Sequence, residues 1–148
     1  MKNNTDVDNF LEKIKGRSIL CIGDIILDKF LRGAVDRISP EAPVPIFKIL
    51  EENLALGGAG NVAANIVSLG AQVFLVGVCG KDNDSNVLCN LIDKYKNIKS
   101  KLIVDEKRET ITKSRYISSG QHLIRVDKEK FKPISVEIEN QIQKVAES

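Results

Sequence analysis

Two short runs constrain this chain more than anything else in it. "SILCIG", Ser18 to Gly23, and "QVFLVGVCG", Gln72 to Gly80, are apolar without alternation. A strand with one wet face alternates apolar and polar residues, so a continuous apolar run is the pattern of a strand buried on both faces of a parallel sheet. Parallel strands need crossover connections, usually helical. The residues between and after these runs supply helical patterns, so the class is α/β.

Along the chain, Val7, Phe10, Leu11 and Ile14 recur at helical spacing and predict a short amphipathic helix before Gly16. After the first apolar run come "DIILDKFLRGAVDRIS" and "PEAPVPIFKILEENLAL". The prolines at 40, 43 and 45 exclude a helix there. The flanking segments read as extended strands of a small flap outside the main sheet. A helix is expected to follow Gly60, packing through Ala63, Ile66, Val67 and Leu69 or Ala71, with Gly70 as its stop. "DNDSNVLCNLIDKYK" reads as a helix capped by Asp82 or Asp84. "SKLIVD" and "TITKSRYIS" read as strands, and "QHLIRVD" pairs with the latter through "SSGQ". The end, "ISVEIENQIQKVAES", is helical, with Ile138, Ile142 and Val145 on one stripe.

Composition narrows the function classes. The chain has 148 residues, enough for one domain, with 43% hydrophobic and 28% charged residues. A net charge of +2 without a Lys/Arg run gives no support to a nucleic-acid partner. No apolar run approaches the roughly 20 residues that span a bilayer, and "MKNNTDVDNF" holds no apolar leader segment. Cys21, Cys79 and Cys89 are too few and too widely spaced for a disulfide framework or a zinc site. Cys21 and Cys79 are expected as buried reduced thiols, which suits a cytoplasmic protein.

"ALGGAGNVAANIVSLGA", Ala55 to Ala71, is a glycine-rich turn running into a small-residue helix. Gly58 to Ala63 fits the G-x-G-x-x-A pattern of dinucleotide folds, and Asp82 lies roughly where a ribose-binding acid would sit. The context differs, because a proline-rich flap separates the first apolar run from the glycines. Two readings remain: a tight turn packed on a sheet, or close backbone approach to a ligand at a helix N-terminus. In the second, Asn61 offers both a donor and an acceptor to hydroxyl groups.

Four stretches together carry a resemblance. They are "ILCIGDIILDKFLRG", "DRISPEAPVPIFKI", "LGGAGNVAANIVSLGAQVFLVGVCGKD" and "TITKSRYISSGQHLIRVDKE", which cover most of residues 18 to 130 in order. The chain resembles the ribokinase-like (PfkB) carbohydrate kinases, and "RISPEAPVP" resembles the heptose-phosphate kinase branch of that family. The resemblance implies a three-layer α/β sandwich, a mostly parallel sheet with helices on both faces plus a small β-sheet lid. It makes residues 1–148 the N-terminal part of one kinase domain, with the lid at about 33–54.

The implied reaction is transfer of the ATP γ-phosphate to the C1 hydroxyl of D-glycero-D-manno-heptose 7-phosphate, in ADP-heptose and lipopolysaccharide core synthesis. By the same resemblance, Asp28 (rather than Asp24) binds sugar hydroxyls, and Gly57, Gly58 and Asn61 match the sugar-site motif. Lys113, Arg115 and Arg125 line the substrate cleft, where a distal phosphate would need cations. Asp127 reads as a turn or salt-bridge residue, His122 as exposed, and Lys81 and Asp82 as helix-start residues. The lid would pair two subunits through Val44, Ile46, Phe47 and Ile49.

The family's D-T-x-G-A-G-D motif, with its catalytic base and anion hole, does not occur in these residues. The nucleotide site is expected in the same C-terminal part. Neither ATP nor Mg²⁺ is therefore expected to bind this chain tightly, and the chain alone is expected to be inactive. Two other classes stand beside this one: a kinase for fructose, ribose or another sugar phosphate, and a non-catalytic fragment that dimerises.

Overall fold

The computed structural model describes residues 4–130 and 132–147. The leader-segment reading at residues 1–3 and the helix end at Ser148 lie outside these. The chain runs α1 (Asn4–Ile14), β1 (Ser18–Ile22), β2 (Ile25–Ile38), β3 (Pro45–Gly58), α2 (Ala59–Ser68) and β4 (Gln72–Cys79). It continues α3 (Asn83–Ile92), β5 (Ile98–Val104), β6 (Ile111–Ser118), β7 (Gln121–Lys128) and α4 (Val136–Ala146).

The strands divide between two sheets. β1-β4-β5 is all parallel, and β3-β2-β6-β7 is mixed. In the second sheet β2 pairs antiparallel with β3 but parallel with β6, and β6 pairs antiparallel with β7. The proline-rich turn joins β2 to β3, as the sequence predicts. The paired strands reach from Ile25 to Gly58, beyond the 33–54 segment at both ends, and β6 and β7 extend the lid into a four-stranded sheet.

One core holds the two sheets together. Ile25, Leu27 and Leu56 from the root of the lid pack with Ala63 of α2, Val73 and Leu75 of β4, Leu88 and Ile92 of α3, and Ile98 of β5. Ile66 and Val67 of α2 pack against this cluster, as their helical spacing predicts. A smaller cluster lies on the other face of the parallel sheet. There Ile138, Ile142 and Val145 of α4 meet Val76, Val78 and Ile103. Helices thus cover both faces.

Gly70 ends α2 in the left-handed region, with φ +92°. Asp82, rather than Asp84, caps α3 by accepting the Ser85 N–H.

Burial of β1 departs from the sequence expectation. Ile19 and Cys21 turn toward the main core and are half-buried, but Leu20 is 45% and Ile22 48% exposed. The reason is placement: β1 is an edge strand, and α4 packs chiefly on β4 and β5. Cys79 is buried, and burial raises its thiol to about 11. Cys89 is exposed, and all three cysteines are free thiols.

Candidate functional site

Strand alternation and register build the site. In register, Asp28 of β2 lies opposite Ala55 of β3 and Lys113 of β6, and Lys113 lies opposite Asp127 of β7. Two residues on, Phe30, Arg115 and Arg125 form the next row. Cross-strand partners share a face, so Asp28, Phe30, Lys113, Arg115, Arg125 and Asp127 lie together. The opposite face carries Leu27, Leu31, Leu56 and Thr112, which are buried.

Lys113, Arg115 and Arg125 each have an acid. Arg115 Nη1 donates to Asp28 Oδ1, and its guanidinium sits 5.1 Å from the Phe30 ring centroid. Lys113 Nζ lies 3.5 Å from Asp127 Oδ2 and 3.7 Å from Glu129 Oε2. Arg125 Nε donates to Asp127 Oδ1 at 2.9 Å. Asp127 is therefore a salt-bridge residue, as the sequence suggests.

Gly57 and Gly58 serve different ends. A Cβ on Gly57 would sit 2.4 Å from Asp28 Oδ2, so the missing side chain is what lets the carboxylate lie against β3. Gly58 has φ +56°, and a Cβ there would meet the Asp24 carbonyl oxygen at 2.2 Å. That carbonyl accepts the Ala59 N–H at 2.8 Å, which fixes the turn where α2 begins. No side chain caps the first turn of α2. Asp24 itself is exposed at this corner.

Asn61 is exposed on the first turn of α2. It lines a groove of about 280 Å³ with Leu54, Ala55, Leu56, Ala64, Leu91, Lys94 and Tyr95. The Asp28 carboxylate does not line that groove. The structure thus brings Asp28, Gly57, Lys113, Arg115 and Arg125 onto one face, sets Gly58 at its corner, and turns Asn61 to a neighbouring concavity. His122 is exposed on β7, as expected, and Lys81 pairs in solvent with Glu106.

A second acidic centre lies at the carboxyl ends of β4 and β5. Asp82 Oδ2 accepts the Thr110 N–H at 2.8 Å, and Oδ1 accepts the Thr110 hydroxyl at 2.7 Å and the Ser85 N–H at 2.9 Å. The Thr110 oxygen in turn accepts the Gly80 N–H at 3.0 Å. Burial pushes the Asp82 carboxyl up, but the Thr110 and Ser85 bonds outweigh it and hold the group below its ordinary value.

Sequence reasoning misses Thr110, Glu129 and Phe30 as partners. Phe30 alone had a local signal, standing two residues from Asp28 on a strand. Among the described residues, no three or more His, Cys, Asp or Glu side chains are grouped to hold a metal ion. What the site face offers is a carboxylate for hydroxyl groups and three cations for an anion.

Comparison with known proteins follows the same lines. The sequence model for "pfkB family carbohydrate kinase" matches residues 17–147. The Bifunctional protein HldE of Caulobacter sp. (strain K31) is 47% identical over 127 residues, 83% of this chain and 26% of that protein. The protein of the same name from Hyphomonas neptunium (strain ATCC 15444) is 40% identical over 136 residues, 92% of this chain and 28% of that protein. The chain spans about a quarter of the length of these curated relatives.

Among solved structures, the microbiome-derived acarbose kinase Mak1 superposes with a TM-score of 0.65 at 17% identity. The match covers 89% of this chain and 42% of that one. The nucleoside kinase of Methanocaldococcus jannaschii, an archaeal member of the ribokinase family, gives 0.56 at 23% identity, over 76% and 37%. These two carry the fold: a ribokinase-like α/β architecture.

Proposed function

Because the chain belongs to the pfkB family of carbohydrate kinases, we propose that it forms the sugar-binding side of a sugar-phosphate kinase. The full reaction is transfer of the ATP γ-phosphate to the C1 hydroxyl of D-glycero-D-manno-heptose 7-phosphate, in the supply of ADP-heptose. The heptose reading rests on "RISPEAPVP" and is supported by the 40–47% identity to proteins named HldE.

The observation that carries the site reading is the Asp28–Arg115 pair against Gly57. In the free chain Arg115 occupies one oxygen of Asp28. A sugar phosphate supplies a better partner for the guanidinium, because a phosphate dianion accepts bidentate hydrogen bonds with twice the charge. Arg115 and Lys113 then turn to the phosphate, and Asp28 is released to accept from sugar hydroxyls. Arg125 completes the cationic row, and Gly58 and Asn61 shape the corner beside it. ATP and Mg²⁺ supply the transferred group and its charge neutralisation. Their sites are expected in the C-terminal part of the family's domain, outside these residues.

Two measurements test this. Titration of heptose 7-phosphate into the chain, followed by amide NMR shifts, is expected to saturate with the largest shifts at Asp28, Lys113 and Arg115. Asp28→Asn should weaken that binding about 10- to 100-fold, the value of a hydrogen bond to a charged group. Equal shifts from ribose 5-phosphate or fructose 6-phosphate would move the assignment to another sugar. The chain alone is expected to show no ATP-dependent phosphorylation, and measurable turnover would overturn that part.

A homodimer through the lid is the second reading, favoured by exposed Ile38, Val44, Ile49 and Leu50 near its tip. Phe47 is less available than its neighbours, because it stacks edge-on against Tyr116 at 5.3 Å. Light scattering tests this: a dimer lost in Leu50→Lys supports it, and a monomer at high concentration removes it.

A further inference from the structure

The charges of the site face are balanced from within the chain. Lys113, Arg115 and Arg125 meet three acids, Asp28, Asp127 and Glu129, so these six side chains carry no net charge. Two residues beyond Phe30, Arg32 lies opposite Glu51 of β3 and leaves that balance as it is. A site that only collected phosphate would gain from a surplus of cations. On this face an incoming anion has to displace an acid first.

The acids are not equivalent. Asp127 is shared, with Oδ2 3.5 Å from Lys113 Nζ and Oδ1 accepting from Arg125 Nε at 2.9 Å. Asp28 serves Arg115 alone, through Oδ1, while its Oδ2 lies against Gly57. The Asp28, Lys113, Arg115 and Asp127 side chains are only 18–22% exposed, so salt screens them less than it screens a surface pair. Arg115 is also held by Phe30, whose ring centroid is 5.1 Å from its guanidinium carbon. Such stacking engages the guanidinium face and leaves its N–H edges free for a carboxylate or a phosphate. Arg115 can therefore change its edge partner while the stack holds it in place.

That exchange has a consequence for Asp28. A phosphate that takes Arg115 leaves the Asp28 carboxylate without its cation and close to a new dianion. A ligand with hydroxyl groups offsets the loss by donating to the freed oxygens, and a ligand without them cannot. We infer that Asp28 is a specificity-determining residue: as the internal counter-ion of Arg115 it opposes every phosphate ester, and yields only to one whose hydroxyl groups bind the carboxylate. Asp127 acts differently. It restrains Lys113 and Arg125 against any anion, and so sets the strength of the site without choosing among esters. This deepens the sugar-phosphate reading and rests on it.

The test is amide NMR titration of the 148-residue chain at pH 8 and low salt, with heptose 7-phosphate and with methyl phosphate. A phosphate monoester loses its second proton near about pH 6, so methyl phosphate at pH 8 is a dianion with no hydroxyl to donate. Wild type should bind heptose 7-phosphate at least about tenfold more tightly than methyl phosphate, the value of a hydrogen bond to a charged group. Asp28→Asn should move the two ligands in opposite directions. Heptose 7-phosphate should weaken about tenfold through the lost acceptor. Methyl phosphate should strengthen about fivefold, the effect of removing one charge within about 6 Å of a dianion in a solvated site. Asp127→Asn should strengthen both ligands by a similar factor, about fivefold, and leave their ratio unchanged. Asp8→Asn, exposed on α1, should move neither. Circular dichroism checks that each variant is folded.

Three outcomes overturn the inference and leave sugar-phosphate binding standing. In one, Asp28→Asn weakens methyl phosphate or leaves it unchanged. In another, Asp127→Asn alters the ratio of the two ligands as much as Asp28→Asn does. In the third, wild type binds the two ligands equally, a result that needs no variant to fold. If heptose 7-phosphate left the amides of Asp28, Lys113 and Arg115 unshifted in wild type, the site reading would fall and the inference with it, so the two failures are distinguishable.

Discussion

Asp28 and Asp82 are both carboxylates held by hydrogen bonds, and they are put to opposite uses. Asp82 fills its oxygens with three donors from its own chain, two of them backbone N–H groups. Those donors join the start of α3 to the β5–β6 loop, so the residue acts as a fastener. Asp28 has one guanidinium partner, the pair is partly exposed, and the carboxylate lies against a glycine with no side chain. A group satisfied by fixed backbone has nothing left for a ligand. A group satisfied by one long, movable side chain can change partners.

The largest test of that contrast is Asp82→Ala. It removes the cap of α3, worth about 1 kcal/mol, and leaves the buried Thr110 without its acceptor, at about 1–3 kcal/mol more. The expected loss is about 3 kcal/mol, a fall of about 10 °C in Tm by calorimetry. Asp28→Asn is expected to cost about 1 kcal/mol or less, since it loses one partly solvated pair, while it weakens ligand binding. If both variants lost the same stability, the division between fastener and site would fail.

The adjacent glycines sharpen the comparison at smaller magnitude. Gly58→Ala forces a side chain into the left-handed region and onto a backbone oxygen, so about 2 kcal/mol of stability should be lost. The atoms nearest a Gly57→Ala methyl are the end of the Asp28 side chain and the Ile26 Cβ, the latter at 3.1 Å. It should shift the carboxylate and lower sugar-phosphate affinity about fivefold, with a Tm within about 3 °C of wild type. Urea melts and NMR titration of the pair separate the two effects. A large Tm loss in Gly57→Ala would place it with the fold instead.

Local chemistry explains which of these features the sequence announces. The end of α2 at Gly70, a cap at Asp82 or Asp84 and the hairpin around Pro40 to Pro45 are written in neighbouring residues. The parallel pairing of β2 with β6 is not, because its partners lie 85 residues apart, as Ile26 and Ile111 do. Asp28 and Arg115 were separately legible as candidates, but their contact depends on that pairing. The same holds for Thr110, whose partner is 28 residues away. β1 shows a different limit. Its apolar run records that the strand is suited to burial on both faces, and it says nothing about what covers them. The sequence therefore overstates how deeply Leu20 and Ile22 are buried here.

The smallest effect is the dependence on pH, and its sign follows from Asp82. Hydrogen bonds from Thr110 and Ser85 depress this carboxyl below its ordinary 3.8. A group depressed in the folded state binds fewer protons there than when unfolded. Its stabilisation is fully present above the unfolded value and is lost as pH falls through the lower folded value. Wild type should therefore keep this contribution at pH 6 and lose it below about pH 4. Asp105 is depressed in the same direction, chiefly by the Lys107 N–H, so it adds to the acid limb without reversing it. Asp82→Asn has no proton to gain, and its stability deficit against wild type should stay level from pH 6 to about pH 5 and shrink as pH falls from there to pH 2. Urea melts across that range measure it. A deficit that stayed constant would mean the Thr110 bonds do not depend on the charge, and that Asp82 fastens the two loops by shape alone.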